Sequence, residues 1–485
     1  MSYKTEDAID EEKPDVSVSG TGRNDALAWA APSRSTADYR ALDAAHHIHP
    51  FSDMGSLNRA GSRVIVKARG VYLSDSDGNR IIDGMAGLWC VNVGYGRKEL
   101  ADAAYRQMRE LPYYNTFFRT THPPVIELSA LLAELTPQPF THFFYCNSGS
   151  EGNDTVLRIV HQYWAAQRKP RKFVIARKNA YHGSTIAGAT LGGMAYMHEQ
   201  MPSKVENIVH IDQPYFFGEA ASDQTPEEFA LARAQQLEAK ILDLGADNVA
   251  AFIGEPFQGA GGVIFPAATY WPEIQRICRK YEVLLVADEV IGGFGRTGEW
   301  FAHQYFGFEP DLITLAKGLT SGYVPMGAVG LHDRVARALI GNGDFNHGFT
   351  YSGHPVAAAV ALANLKLLRD ERIVERVKAD TGPYFQRKLR QTFAGHPIVG
   401  EISGAGLVAG VQLAEEPLRR KRFANGGDVG AMCRDFCFNG NLIMRASDDR
   451  MLLSPPLVIS RLEIDEIVSK AKTAIDATAR ELGAL

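Results

Sequence analysis

The sequence predicts an α/β protein: a mostly parallel sheet of seven strands flanked by helices, with a smaller second domain. Two observations predict it. Short apolar runs such as Val283-Leu-Leu-Val-Ala-Asp288 and Asp311-Leu-Ile-Thr-Leu-Ala-Lys317 each stop at one polar residue, as fully buried parallel strands do. Such runs also alternate with helical stretches, the pattern of a parallel sheet with crossover helices.

The chain is 485 residues long, enough for two or three domains or for one large domain with extensions. It is 45% hydrophobic and 22% charged with a net charge of −5, which gives no electrostatic case for nucleic acid or an anionic membrane. Its five cysteines are scattered, and Cys433 and Cys437 complete no zinc pattern, so a reduced compartment is expected. No apolar run reaches the roughly 20 residues of a membrane span. The first fifteen residues carry six acids and two lysines and no apolar core, unlike a secretory or transit leader. A cytoplasmic location is expected.

In chain order, the first 24 residues read as a mobile acidic tail. Asp25–Ala31 and Thr36–Asp43 read as short helical pieces. His46-His47-Ile-His49-Pro50 is a metal-like run, but no carboxylate or cysteine cluster accompanies it in the sequence. It reads as a structural turn, and no metal is expected. The segment from Ile65 to Asp83 places two apolar stretches around Asp77-Gly78, a hairpin signal. Helices are expected at 98–110 and 124–135. The strand His142–Cys146 runs into Asn147-Ser-Gly-Ser-Glu151 and a helix to about 168. Further strands read at 172–176, 206–211, 249–254, 283–288, 311–316 and from Pro325. A helix covers 227–243, and the small-residue stretch Ala357–Leu365 is a buried helix leading to the second domain. After about 370 the pattern changes: Val399–Leu413 is a strand pair with glycine turns, and Ser460 with Glu463 caps the final helix. The expected division is a tail at 1–34, a first part of the small domain at 35–90, a large domain at 91–355 and the rest of the small domain at 356–485.

Ligand sites in open α/β sheets lie at the carboxyl ends of the strands. Asp288 and Lys317 therefore face one crevice. Desolvation there makes a lysine a better nucleophile toward a carbonyl, although the same two residues also suit an ion pair at a sheet edge. Ser148, Gly149 and Ser150, between a strand and a helix, offer backbone amides, hydroxyls and a helix dipole to a phosphate; the alternative is a simple N-cap. Tyr181 is either a ring that stacks on a flat heteroaromatic ligand or a core tyrosine. Glu255 ends another strand, where a buried pair with an arginine is the alternative. Gly293-Phe-Gly295-Arg-Thr-Gly298 matches a dinucleotide fingerprint, but it begins five residues past Asp288 and opens no crossover helix, so it reads as a shaped loop. A phosphate cup, a ring, an acid and a lysine on separate strand ends are together what pyridoxal 5′-phosphate requires: donors for its phosphate, a carboxylate for its pyridine nitrogen and an imine-forming lysine.

On these residues the sequence resembles the class III (ω-amino acid or amine) aminotransferases of the fold-type I pyridoxal-phosphate family. The matching motifs begin at Asp83-Gly-Met-Ala-Gly-Leu-Trp89, Asn147-Ser-Gly-Ser-Glu-Gly-Asn153, Tyr181-His182-Gly, Glu255-Pro-Phe-Gln-Gly-Ala260, Ala287-Asp-Glu-Val290, Leu315-Ala-Lys317 and Phe349-Thr350. They run from about residue 35 to the C-terminus. The resemblance implies a large domain plus an α+β small domain built from both chain ends. It implies that Lys317 holds the cofactor and moves the substrate proton, and that Asp288 pairs with the ring nitrogen. Tyr181 and Val290 would lie on the two ring faces, with Ser148, Gly149 and Ser150 at the phosphate. His182 and Glu255 would stand nearby. Phe349 and Thr350 would reach the phosphate from a neighbouring subunit, which implies a homodimer and often a tetramer. Phe51, Trp89, Tyr181 and Ala260 fall on the substrate side. Arg445 matches an arginine that grips the carboxylate of pyruvate; Asp448-Asp449-Arg450 leaves open which arginine serves, a surface pairing being the other reading of Arg450. Met194–Gln200 and Asp344–Thr350 are similar to putrescine–pyruvate and related polyamine aminotransferases. The implied reaction moves an amino group from a terminal amine to pyruvate by a ping-pong cycle. A β-alanine–pyruvate or taurine–pyruvate enzyme is the alternative.

Overall fold

The computed structural model describes residues 33–137 and 139–485. The acidic tail at 1–24 and the helical piece at 25–31 lie outside the described residues. The chain divides into two compact units, one up to Val64 and one from Ile65 onward.

The first unit contains two helices, Thr36–His46 and Met54–Ala60. Ser35 and Asp38 form a capping box on the first, which satisfies backbone N–H groups that a helix start leaves unpaired. Asp53 caps the second through the Ser56 amide.

In the second unit the strands, in chain order, are β1 Ile65–Arg69, β2 Tyr72–Asp75, β3 Arg80–Asp83, β4 Phe140–Cys146, β5 Phe173–Arg177, β6 Ile208–Ile211, β7 Val249–Gly254, β8 Leu284–Asp288, β9 Leu312–Leu315, β10 Gly327–His332, β11 Val399–Ala405, β12 Val408–Leu413, β13 Leu442–Ile443, β14 Arg445–Ser447 and β15 Arg450–Leu453. The seven-stranded sheet has the order β4-β10-β9-β8-β7-β5-β6. Its pairs are parallel except at β10, which runs antiparallel to both neighbours. The reason is length: residues 316–326 form a link shorter than the dozen or more residues a parallel crossover needs. β7, β8 and β9 are buried at every residue, as the unbroken apolar runs require.

The stretch at 65–83 differs from the expected two-strand hairpin. It forms three strands, β1-β2-β3, extended by β13 in parallel with β3. Gly70, at φ +61°, breaks the first run, and its backbone exchanges hydrogen bonds with Tyr95 at 3.0 and 2.8 Å. A third sheet, β11-β12-β15-β14, comes from the last part of the chain. The final helix, Arg461–Glu481, carries the Ser460–Glu463 capping box and buries Ile464, Ile467, Val468 and Ile475. Among the described residues no helix is long and apolar enough to cross a membrane, and all five cysteines are unpaired.

Candidate active site

The loops after β4, β5, β7, β8 and β9 leave one edge of the sheet and touch one another. Ser148 caps the helix Gly149–Ala166, its Oγ accepting from the Glu151 amide at 3.2 Å. The next two amides, of Gly149 and Ser150, have no acceptor among the described residues. They point from the start of an 18-residue helix, so donors and helix dipole act together on an anion. Gly149 has to be glycine: a Cβ there would stand 2.8 Å from Val290 Cγ2. Ser150 Oγ accepts from the Ser184 amide at 3.1 Å, and Gly183, at φ +124°, lies against it.

Asp288 ends β8 and is 4% exposed. Its Oδ2 accepts from His182 Nδ1 and from Asn153 Nδ2, both at 2.8 Å, and its Oδ1 accepts from the Val290 amide at 3.1 Å. Burial raises the carboxyl pKa, but the His182 hydrogen bond and charge, the Asn153 bond and the Val290 bond outweigh it and hold the group below the ordinary carboxylate value. Asn153 is itself fixed. Its Nδ2 also donates to the His182 carbonyl at 2.8 Å, and its Oδ1 accepts from Thr314 Oγ1 at 2.8 Å. Asn153 was not singled out from the sequence; its position one helical turn after Gly149 is the signal that puts it on the same face.

Lys317 follows β9 at φ +47°, a left-handed conformation that costs a non-glycine residue about 1–2 kcal/mol. The turn is held from below. Asn364, buried in the helix Pro355–Asp370, donates to the carbonyls of Gly318 and Leu319 at 2.8 and 3.0 Å and accepts from Ser321 Oγ at 2.6 Å. A Cβ on Gly318 would stand 2.6 Å from Asn92 Nδ2. This is what the small-residue helix packs against. Burial lowers the Lys317 pKa, against the opposing pull of Asp288 and Glu255. No side-chain hydrogen bond or ion pair engages its ammonium among the described residues. The alternative of a plain Lys–Asp ion pair is therefore not what the geometry contains.

Glu255 is buried, its carboxyl pKa raised chiefly by desolvation. Its two oxygens accept from the amides of Tyr181 (3.1 Å) and Gly259 (2.8 Å). Arg177 donates to its backbone carbonyl rather than to its carboxylate. Tyr181 is half-buried, with its hydroxyl 3.0 Å from Ser184 Oγ.

Trp89 is 2% exposed and packs with Met85, Phe257, Val263 and Ile291. The preceding turn is tied by Asp83, which accepts from the amides of Met85 (2.8 Å) and Gly87 (2.6 Å) and from the Tyr95 hydroxyl (2.6 Å). Ala260 is buried, and its carbonyl accepts from Ser447 Oγ at 3.0 Å. Arg445, half-buried on β14, lies in the electrostatic reach of Tyr196, Tyr181 and Lys317. Burial lowers its pKa, and its guanidinium has no hydrogen-bond or ion-pair partner among the described residues. Arg450 is different and is no surface residue. It is 3% exposed and bonds Glu401 (2.7 Å), the Gly262 carbonyl (2.6 Å) and Ser403 Oγ (2.5 Å).

Phe349 is half-buried and Thr350 exposed, after the exposed stretch 341–344. Phe51, in the first unit, is 67% exposed at φ +50°. The Gly293–Gly298 segment forms turns and opens no helix, as its reading as a shaped loop requires. A cavity of about 940 Å³ opens at the opposite, amino ends of the strands beside Val283, Asp311 and Phe140, away from all these groups.

The donor set fits pyridoxal 5′-phosphate. Free amides at a helix start suit its phosphate, an ionised carboxylate suits its ring nitrogen, and a desolvated, unpaired lysine suits its aldehyde.

A family model described as aminotransferase class-III matches residues 56–475. The chain is 56% identical to a putrescine–pyruvate aminotransferase of Pseudomonas aeruginosa over 92% of this chain and 97% of that protein. It is 42% identical to a diaminobutyrate–2-oxoglutarate transaminase of Halomonas elongata, covering 87% of this chain and 92% of that one. The fold is similar to the ω-transaminase of Pseudomonas jessenii in complex with PMP, at a TM-score of 0.89 and 39% identity over 92% of this chain and 99% of that chain.

Proposed function

This chain belongs to the class III aminotransferases, and from that premise we propose that it transfers an amino group from a terminal amine of the putrescine or polyamine type to pyruvate, giving an aldehyde and alanine. Class III aminotransferases use pyridoxal 5′-phosphate, and the observation that carries the reading is Lys317. It is a desolvated lysine with no side-chain partner among the described residues, one strand from a buried, ionised Asp288. An amine must be neutral to attack a carbonyl, and burial biases this one toward that form.

Each residue then has a task. Gly149 and Ser150 donate their amides to the phosphate, and Ser148 caps the helix that carries them. When bound, the cofactor supplies the carbonyl that carries the amino group and the ring that takes up electrons. Asp288 keeps a proton on the ring nitrogen; His182 and Asn153 keep Asp288 ionised. Lys317 Nζ removes and returns the proton on the substrate carbon. Tyr181, its backbone pinned by Glu255, and Val290 would hold the cofactor ring between them. Arg445 grips the pyruvate carboxylate with a fork that suits it bidentately. Its lack of a competing acid supports that task. Trp89 and Ala260 bound the amine side. Phe349 and Thr350 serve the phosphate of a second copy in a homodimer, a role supported by the exposure of Thr350 in the single chain.

The test is the visible spectrum of the purified enzyme with putrescine and no keto acid. Loss of the band of lysine-bound cofactor, restored by pyruvate, is expected. A protein that ignores putrescine but responds to β-alanine would overturn the donor. A colourless protein that takes up no cofactor would overturn the site.

A further inference from the structure

The run His46-His47-Ile-His49 has no part in the chemistry above, and in sequence no carboxylate cluster adjoins it. The fold supplies one. Asp43 stands four residues before His47 on the helix Thr36–His46, a spacing that stacks two side chains on one face. The chain turns after that helix and brings His49 back. His47 Nδ1 lies 3.0 Å from Asp43 Oδ1, and His49 Nε2 lies 2.9 Å from both carboxylate oxygens. The imidazole rings are 4.2 Å apart between centroids. Ser62 Oγ donates to Asp43 Oδ2 at 2.7 Å. We propose that Asp43, His47 and His49 form a binding site for a divalent transition-metal cation of the zinc type, oriented by Ser62.

The geometry supports an ion rather than a hydrogen-bonded turn alone. One atom from each of the three residues lies within 4.8 Å of the others. Around a tetrahedral zinc with bonds of about 2.0–2.1 Å, neighbouring ligand atoms stand about 3.3 Å apart. The observed 2.9 and 3.0 Å contacts therefore need to open by only a few tenths of an ångström. Two imidazoles and one carboxylate are a ligand set that suits zinc and its neighbours and not magnesium or calcium. Each imidazole turns a lone pair inward by carrying its proton on its other ring nitrogen. The Ser62 hydroxyl does what outer-shell donors do at metal sites: it fixes a carboxylate oxygen. The ligands gather at the C-terminal end of a helix, where the macrodipole favours a cation. The His47 side chain is 60% exposed, which leaves an approach for the ion and room for water as the fourth ligand.

The test uses the full-length holoenzyme, stripped with a chelator and titrated with zinc chloride by calorimetry, with bound zinc counted after desalting. One zinc per chain is expected. His47→Ala, at an exposed position that spares the fold, His49→Ala and Asp43→Asn should each weaken binding at least tenfold. Ser62→Ala should weaken it by about tenfold or more. X-ray absorption at the zinc edge should report two imidazole nitrogens at about 2.0–2.1 Å. Binding unchanged in His47→Ala and Asp43→Asn, or no zinc retained by the wild type, overturns the site.

Discussion

Asn153→Ala tests the buried clamp on Asp288. The asparagine donates one 2.8 Å hydrogen bond to Asp288 Oδ2 and one to the His182 backbone, while Thr314 holds it in place. A hydrogen bond to a charged group is worth about 1.5–3 kcal/mol. This one exists fully only while Asp288 is ionised. One pKa unit corresponds to about 1.4 kcal/mol, so its loss raises the Asp288 pKa by about one to two units. The His182 and Val290 bonds remain and keep part of the depression. For stability the sign runs the same way. A carboxyl depressed in the fold stabilises it above the unfolded pKa, and that contribution fades as pH falls through the folded pKa. In the variant the folded pKa moves up, so acid unfolding begins at a higher pH. The assay is the pH dependence of kcat/KM for the amine, beside an acid-unfolding curve of each protein. The acid limb should move upward by about one to two pH units, together with the unfolding midpoint. An acid limb that stays where the wild type has it, in a variant that folds and retains cofactor, would refute the view that Asn153 governs the charge of Asp288.

Four further outcomes are expected. Lys317→Ala should abolish turnover while the cofactor still binds noncovalently; normal turnover in single-turnover kinetics would remove Lys317 from the chemistry. Asp288→Asn should fold and lose most activity, and near-wild-type kcat would contradict its role at the ring nitrogen. Arg445→Ala should raise KM for pyruvate by about ten- to hundredfold, the equivalent of about 1.5–3 kcal/mol of charge-assisted bonding, with little change in the rate of the putrescine half-reaction. Arg450→Ala should instead lower thermal stability, because it removes a buried guanidinium that bonds Glu401, Ser403 and the Gly262 carbonyl; a selective effect on pyruvate KM there would reverse the assignment of the two arginines.

The strand ends were legible because a buried parallel strand leaves a plain mark: an apolar run that stops at one polar residue. All seven strands of the main sheet lie within a few residues of their expected places, and Val249–Gly254 lies at its expected bounds. The helix at 98–110 and the capping box at Ser460 were legible for a like reason, since periodicity and capping are local. What was not legible depends on groups brought from far along the chain. β1 and β2 separate because Gly70 bonds to Tyr95, a contact no hairpin pattern contains. Asn153 reads as one polar residue on a helix until β8 and β9 bring Asp288 and Thr314 to it. The carboxylate beside the histidine run is Asp43, the last residue of the helical piece read at Thr36–Asp43; the helix runs on to His46, and the turn after it brings His47 and His49 back to that carboxylate.

The choice between the two arginines shows how far pattern reaches. Arg445 and Ser447 are two apart on β14, and Arg450 on β15 pairs directly opposite Ser447. Residues two apart on a strand, and residues opposite across an antiparallel pair, project from the same face of a sheet. Both arginines therefore sit on one face, so alternation alone cannot separate them. Their partners do. Ser447 reaches the carbonyl of Ala260, and Arg450 reaches that of Gly262, so the segment after β7 covers this face. Glu401 from β11 then neutralises Arg450. One step along the strand the cover ends, and Arg445 meets Tyr196 and Tyr181 with no acid beside it. A half-buried guanidinium without a counter-charge is costly to keep in a fold. That cost falls only when an anion arrives, which makes Arg445, and not Arg450, the residue whose charge awaits a carboxylate.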